Sequence, residues 1–129
     1  MLKLPVIARM LLGLIFFVFG LNGFLQFIPM PELSEEGASF MGSLAGSGYF
    51  FPVLKLTETV CGVFLLTGRF VPLALTIIAP VVVQILLFHV ALEPTGMPMA
   101  VLLVALTGYL GLFGYRSSFC SLLSATPED

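Results

Sequence analysis

Charge is what this sequence has least of. Five Lys or Arg and seven Asp or Glu make up 9% of its 129 residues, where a soluble domain carries roughly 25%. With 59% hydrophobic residues and a mean hydropathy of +1.14, the chain cannot cover a water-facing surface with polar groups. Its expected solvent is lipid. A net charge of −2 supplies no basic patch, so nucleic acid is not an expected partner. The two cysteines, Cys61 and Cys120, form no CxxC pair, zinc-type cluster or disulfide framework, and a buried thiol then reads as a small hydrophobe. One histidine cannot supply two axial haem ligands, and there is no nucleotide-binding motif. No metal site and no complete catalytic constellation are expected.

What is present is four apolar runs, Leu4 to Ile28, Tyr49 to Thr67, Val71 to Leu92 and Met97 to Tyr115. Each approaches the ~20 residues that cross a hydrocarbon core at about 1.5 Å per residue. The first run is longer than the h-region of a signal peptide, and no small-residue cleavage site follows it, so it reads as a retained helix. Pro29 and Pro31 end it, because proline cannot continue a helix and disfavours one in the preceding residue. Gly68-Arg69 and Glu93-Pro94-Thr95-Gly96 separate the later runs, with Pro72 and Pro98 tolerated at helix starts. Connections this short predict antiparallel neighbours. The expected fold is a single all-α domain over residues 1–129, an integral membrane four-helix bundle.

The loops predict its direction. Lys3, Arg9, Arg69 and Arg116 lie at one set of ends, while Glu32, Glu35, Glu36 and Glu93 lie at the other without Lys or Arg. The positive-inside rule then places both termini in the cytoplasm of a plasma (inner) membrane. Within the first outer loop, Ser34 predicts the cap of a short amphipathic helix over about residues 34–47, with Glu35 and Glu36 in its first turn and Phe40, Met41 and Leu44 on one face. Gly13, Gly20 and Gly23 in the first run, and Gly108, Gly111 and Gly114 in the fourth, are expected where helices touch. Pro80 is expected to kink the third helix, with the Thr76 side chain supplying part of the lost bonding.

The informative residues are those that lipid disfavours. Glu58 and Lys55 are three apart and can pair on one face. From the cytoplasmic side, Glu58, Gln84 and Lys55 lie at depths of roughly 18, 20 and 22 Å, and Asn22 and His89 at roughly 25 and 27 Å. An uncompensated charge at such depth costs about 2.5–3.5 kcal/mol. Asn22, Gln26, Lys55, Glu58, Gln84 and His89 are therefore candidate ligand-binding residues, converging from three helices on the outer half of the membrane. Gln84 and His89 stand about 140° apart on an ideal helix, so one of them is expected to face away from a shared cavity. His89 and Glu93 are four apart and can hydrogen-bond. Arg9 is expected to snorkel to the cytoplasmic surface.

These stretches carry a resemblance. RMLLGLIFFVFGLN, from Arg9 to Asn22, resembles the opening of DoxX-like membrane proteins, as do KLTETVCGVFLLTGRFVPLA, from Lys55 to Ala74, and the Phe88-His89 pair. Many members place a Lys directly after the first-helix Gly-Leu-Asn, where this chain has Gly23. The resemblance implies a four-helix bacterial membrane protein associated with quinol-oxidase, thiosulfate–quinone or oxidative-stress systems. A redox-accessory role, holding a quinone or lipid-like ligand, is the first expectation. The others are a scaffold or assembly factor for another membrane protein and a proton-linked or small-solute transporter, the last needing oligomers because four helices form a narrow bundle. Expected partners are membrane lipid and either a membrane protein or further copies of the chain.

Overall fold

The computed structural model describes residues 4–25 and 33–120, and among these every regular element is helical. The elements are α1 (Leu4–Leu25), α2 (Glu35–Gly46), α3 (Phe50–Thr67), α4 (Val71–Ala91), α5 (Met97–Tyr109) and α6 (Arg116–Cys120). A 3-10 turn, Pro94–Gly96, leads into α5, and a π-helical turn, Leu110–Gly114, continues it. Four helices are long and apolar enough to cross a membrane: Leu4–Leu25, Phe50–Thr67, Val71–Ala91 and the composite run Pro94–Gly114. That is the architecture of a multi-pass membrane protein. The second span has the lowest mean hydropathy of the four, since it carries Lys55 and Glu58.

The expected spans differ from these mainly at their ends. Residues 26–28 of the first run lie outside the described residues, as does Gln26 among the candidate ligand groups. Tyr49 precedes α3 as its cap, and Leu92 follows α4 in the same way. The fourth run changes character at Leu110, whose carbonyl accepts from the Tyr115 amide five residues on, at 2.8 Å.

Glycine decides how closely α1 and α3 approach, and theirs is the most extensive helix pairing in the chain. A Cβ built on Gly13 would stand 2.9 Å from the Leu66 amide nitrogen, and one on Gly62 would stand 2.6 Å from that of Phe17. Gly20 sits in the same way against the Thr59 backbone, and Gly23 against the aliphatic stem of Lys55. The small residues of the first helix thus do mark a contact. Those of the fourth span do so less: a Cβ on Gly108 or Gly111 would meet no atom within 4 Å, and one on Gly114 would approach only Leu110 of its own turn and Pro5 of α1, the latter at 3.7 Å. Small residues permit close approach but do not create it, and this face of α5 has no helix of the described chain upon it.

Both short connections produce packed neighbours, α3 with α4 and α4 with α5. The α3–α4 turn uses Gly68 at φ +77°, a left-handed C-terminal residue that glycine adopts without strain. The Arg9 guanidinium lies against Gly68, where a cation is favourable beside the negative end of the α3 dipole. Helix α4 runs unbroken through Pro80. Thr76 offers no compensation there: its hydroxyl donates to the Pro72 carbonyl at 2.8 Å, one turn back, rather than serving the carbonyl freed by Pro80.

The hydrophobic core occupies one half of the bundle. Leu12, Leu65, Ile78 and Leu110 are fully buried there, joined by Phe16, Cys61, Val71 and Leu75. These come from the first part of α1, the end of α3, the start of α4 and the end of the fourth span. The opposite half, containing the end of α1, α2, the start of α3 and the end of α4, is hollow.

Candidate functional site

The hollow half holds an open-sided cavity of about 880 Å³, within the ~300–1,000 Å³ typical of small-molecule sites. Its wall is mostly apolar and rich in phenylalanine: Phe16, Phe19, Phe40, Phe50, Phe51 and Phe88 all contribute. Set into that wall are Asn22 from α1, Lys55 and Glu58 from α3, and Gln84 and His89 from α4. Five of the six polar residues expected from the sequence therefore converge, and the sixth, Gln26, lies outside the described residues.

Lys55 and Glu58 meet as their three-residue spacing predicts, Nζ to Oε1 at 3.3 Å. The Glu58 side chain is 5% exposed and that of Lys55 25%, so the carboxylate is sunk in the wall while the ammonium reaches the cavity. The Lys55 stem crosses Gly23, where any side chain on α1 would displace it. Breaking one member of such a pair leaves the other charge uncompensated in a weakly polar setting, which is what keeps the two together.

Gln84 and His89 both border the cavity, His89 half-buried and Gln84 exposed at its rim. The 140° between them leaves each roughly 70° from a midline that points into the cavity. The space is wide enough along α4 to take in Pro80, Val81, Ile85, Phe88 and Leu92 as well. Long side chains reach it from both flanks of that arc.

His89 does approach Glu93, but through the backbone. Its Nδ1 donates to the Glu93 carbonyl at 2.9 Å. The ring lies over Gly96, where a Cβ would collide with it. The Glu93 carboxylate is engaged elsewhere. Its Oε1 accepts from the Ser34 amide and its Oε2 from the Thr95 hydroxyl at 2.8 Å. The Ser34 amide, then Thr95 and the Ser34 hydroxyl, hold this carboxyl below the usual carboxylate range.

Ser34 joins two helices. Its hydroxyl accepts from the Gly37 amide at 3.1 Å, capping α2, and donates to the Leu92 carbonyl at 2.7 Å, satisfying an otherwise open acceptor at the end of α4. Gly37 is the close-approach point, since a Cβ there would lie 2.7 Å from Glu93 Oε1. This junction fixes α2 so that Leu33, Phe40, Met41 and Leu44 form part of the cavity wall. The Phe40 and Phe88 rings pack with centroids 5.8 Å apart. The Ser34–Glu93 link and the phenylalanine lining are the site elements that sequence spacing does not reveal.

The arrangement offers hydrogen-bond donors and acceptors, one cation and one anion, along an aromatic and aliphatic wall. Among the described residues no three His, Cys, Asp or Glu side chains gather as a metal ion would require. No protein-family model, curated protein or solved structure matches the chain.

Proposed function

We propose that this is a DoxX-like protein of the bacterial inner membrane, with both termini in the cytoplasm, that holds a quinone-like or comparably small amphipathic molecule as accessory to a redox system. The observation that carries the reading is the phenylalanine-walled cavity of about 880 Å³ with Lys55, Glu58, Asn22, Gln84 and His89 set into it. Apolar walls with a few convergent polar groups are the usual make-up of a ligand site. A neutral ring bearing oxygens suits this one, because Lys55 and Glu58 cancel in charge yet provide a donor and an acceptor side by side. The loop charges orient the hollow half outward. Helix α2 then lies along the outer interface as a lid, with Glu35 and Glu36 toward water and Phe40, Met41 and Leu44 toward the cavity.

The DoxX-like motifs of α1 and α3 support the redox association, and the Lys55 stem lies across Gly23, the position where many members carry a first-helix lysine. Electron transfer then belongs to the bound molecule and a partner enzyme, while this chain positions the ring and exchanges protons through Glu58 or His89. Native mass spectrometry of the protein released from mild detergent, with and without added quinone, tests the reading. A bound quinone lost in Glu58→Gln is expected, and quinone binding indifferent to that change refutes it. For the orientation, a cysteine at Glu35 should react with an impermeant reagent outside intact cells and one at Arg116 should not; the reverse labelling overturns the topology.

A second reading, a scaffold for another membrane protein or a further copy of the chain, draws on the open Gly108 and Gly111 face of α5. A stoichiometric protein partner that survives Glu58→Gln and dissociates in Gly108→Leu would favour it.

A further inference from the structure

A smaller cleft of about 350 Å³ lies at the α3–α4 seam, lined by Tyr49, Phe50, Val53, Leu54, Thr57 and Val81. Phe50, Leu54 and Val81 line the main cavity too, so these three side chains form a wall shared by both spaces. Tyr49, Val53 and Thr57 recur at four-residue spacing along α3, and Tyr49 and Val53 are 67% and 58% exposed. The cleft therefore opens onto a surface that a bilayer would cover.

Its chemistry differs from that of the main cavity. The Thr57 hydroxyl is committed to the Val53 carbonyl at 2.8 Å, which leaves the cleft apolar apart from the Tyr49 hydroxyl near one end of α3. Such a channel suits an aliphatic chain and gives a polar head nothing to bind. Two other seams that border the main cavity are closed. The α1–α3 seam is shut backbone against backbone at Gly20 and Gly62. The outer end of α4 is tied to α2 through Ser34, Leu92 and Glu93.

We infer that the ligand is a single-tailed amphipath whose head lies at Lys55 and Glu58 and whose aliphatic tail leaves the bundle between α3 and α4, past Phe50, Leu54 and Val81, along the cleft into lipid. The inference rests on the ligand-holding reading above and specifies its substrate class: a molecule dissolved in the bilayer, loaded sideways rather than from water beneath α2. A head and tail together need the two spaces in series, and the shared wall is where they join.

Two probes separate this inference from the reading beneath it: duroquinone, a ring without a tail, and the same ring with one methyl replaced by a decyl chain. Both are titrated against the full chain, native and Val53→Trp, by native mass spectrometry. Val53 lines only the cleft, so the indole plugs the exit and leaves the main cavity as it was. The decyl compound is expected to weaken by about tenfold or more, the equivalent of 1.4 kcal/mol, while duroquinone binds as before. Equal binding of the decyl compound to both proteins overturns the tail route. Failure of either ring to bind the native protein overturns the ring-holding reading, and the tail route with it. Should Val53→Trp fail to fold, a decyl compound carrying a terminal diazirine decides the matter on the native chain. Photolabelling of Tyr49, Val53 or Thr57 is expected, and labelling confined to α2 refutes the route.

Discussion

Replacing Gly62 by alanine adds one methyl group where α1 and α3 touch. The new carbon would lie 2.6 Å from the Phe17 nitrogen, 2.8 Å from its Cα and 2.9 Å from its Cβ. Ordinary contact begins near 3.4 Å, so the helices must separate locally by about 0.8 Å, since backbone atoms cannot rotate aside as a side chain tip can. Overpacking of this kind costs about 1–3 kcal/mol. Alanine's better helix propensity offsets at most ~0.5–1 kcal/mol of that. The two effects together leave a net loss of up to about 2.5 kcal/mol, and a loss of about 1–3 kcal/mol relative to a site where only the propensity gain applies. Reversible denaturation of the purified protein in mild detergent, followed by helical circular dichroism, measures it. Gly42→Ala is the matched control: the same atoms are added in mid-helix on α2, with nothing within 4 Å, so it should be neutral or mildly stabilising. Gly20→Ala opens the same seam at Thr59, and the double variant should therefore lose less than the sum of the singles. If Gly62→Ala proves as stable as Gly42→Ala, the helices are not in backbone contact and the account of α1–α3 packing fails.

Removing one charge of the Lys55–Glu58 pair should cost more than removing both. Lys55→Met strands a carboxylate that is 5% exposed and is expected to lose about 3 kcal/mol, most of it regained in Lys55→Met with Glu58→Gln; equal stability of single and double variants in the same denaturation assay counts against an energetically coupled pair. At the α2–α4 junction, Glu93 is held ionised by the Ser34 amide and Thr95, so its contribution is complete at neutral pH. It should disappear as pH falls through the lowered native value, below the ordinary carboxylate range. A spin label at Ser39→Cys should gain mobility on acidification in the native background and show no such transition in Glu93→Gln; a transition that persists in Glu93→Gln assigns the effect to another group.

The four spans are legible in the sequence because lipid forces apolar runs of a fixed length and because the breaks between them fall at proline and glycine. The Lys55–Glu58 pair is legible for a local reason too, since three residues on a helix bring two side chains together. Tertiary arrangement decides the rest. Gly13 and Gly20 in the first span and Gly108 and Gly111 in the fourth are alike as small residues in apolar runs, yet only the first pair meets another helix, at Leu66 and Thr59. The Ser34–Glu93 bond spans 59 residues, and no periodicity links those positions. Gln84 and His89 can both border one cavity despite their roughly 140° separation, because a helical wheel gives directions from the axis and a wide, open-sided space accepts long side chains from either flank. The phenylalanines that wall the site are indistinguishable in the sequence from those that face lipid.

The division of the bundle into a packed half and a hollow half explains how so small a chain can hold a cavity at all. The close α1–α3 seam and the fully buried Leu12, Leu65, Ile78 and Leu110 concentrate dispersion contacts away from the site, where interiors pack as densely as crystals. The other half gives up such contacts and keeps the groups that close packing would penalise. Lys55 and Glu58 would pay a heavy desolvation cost in a sealed core, while beside an 880 Å³ space the ammonium can still find polar company. Aromatic rings suit the surrounding wall because they are large and stiff enough to hold a space open, where flexible aliphatic chains would fall into it. The hollow is sustained by its own lining, and the polar pair within it gives that lining something to be arranged around.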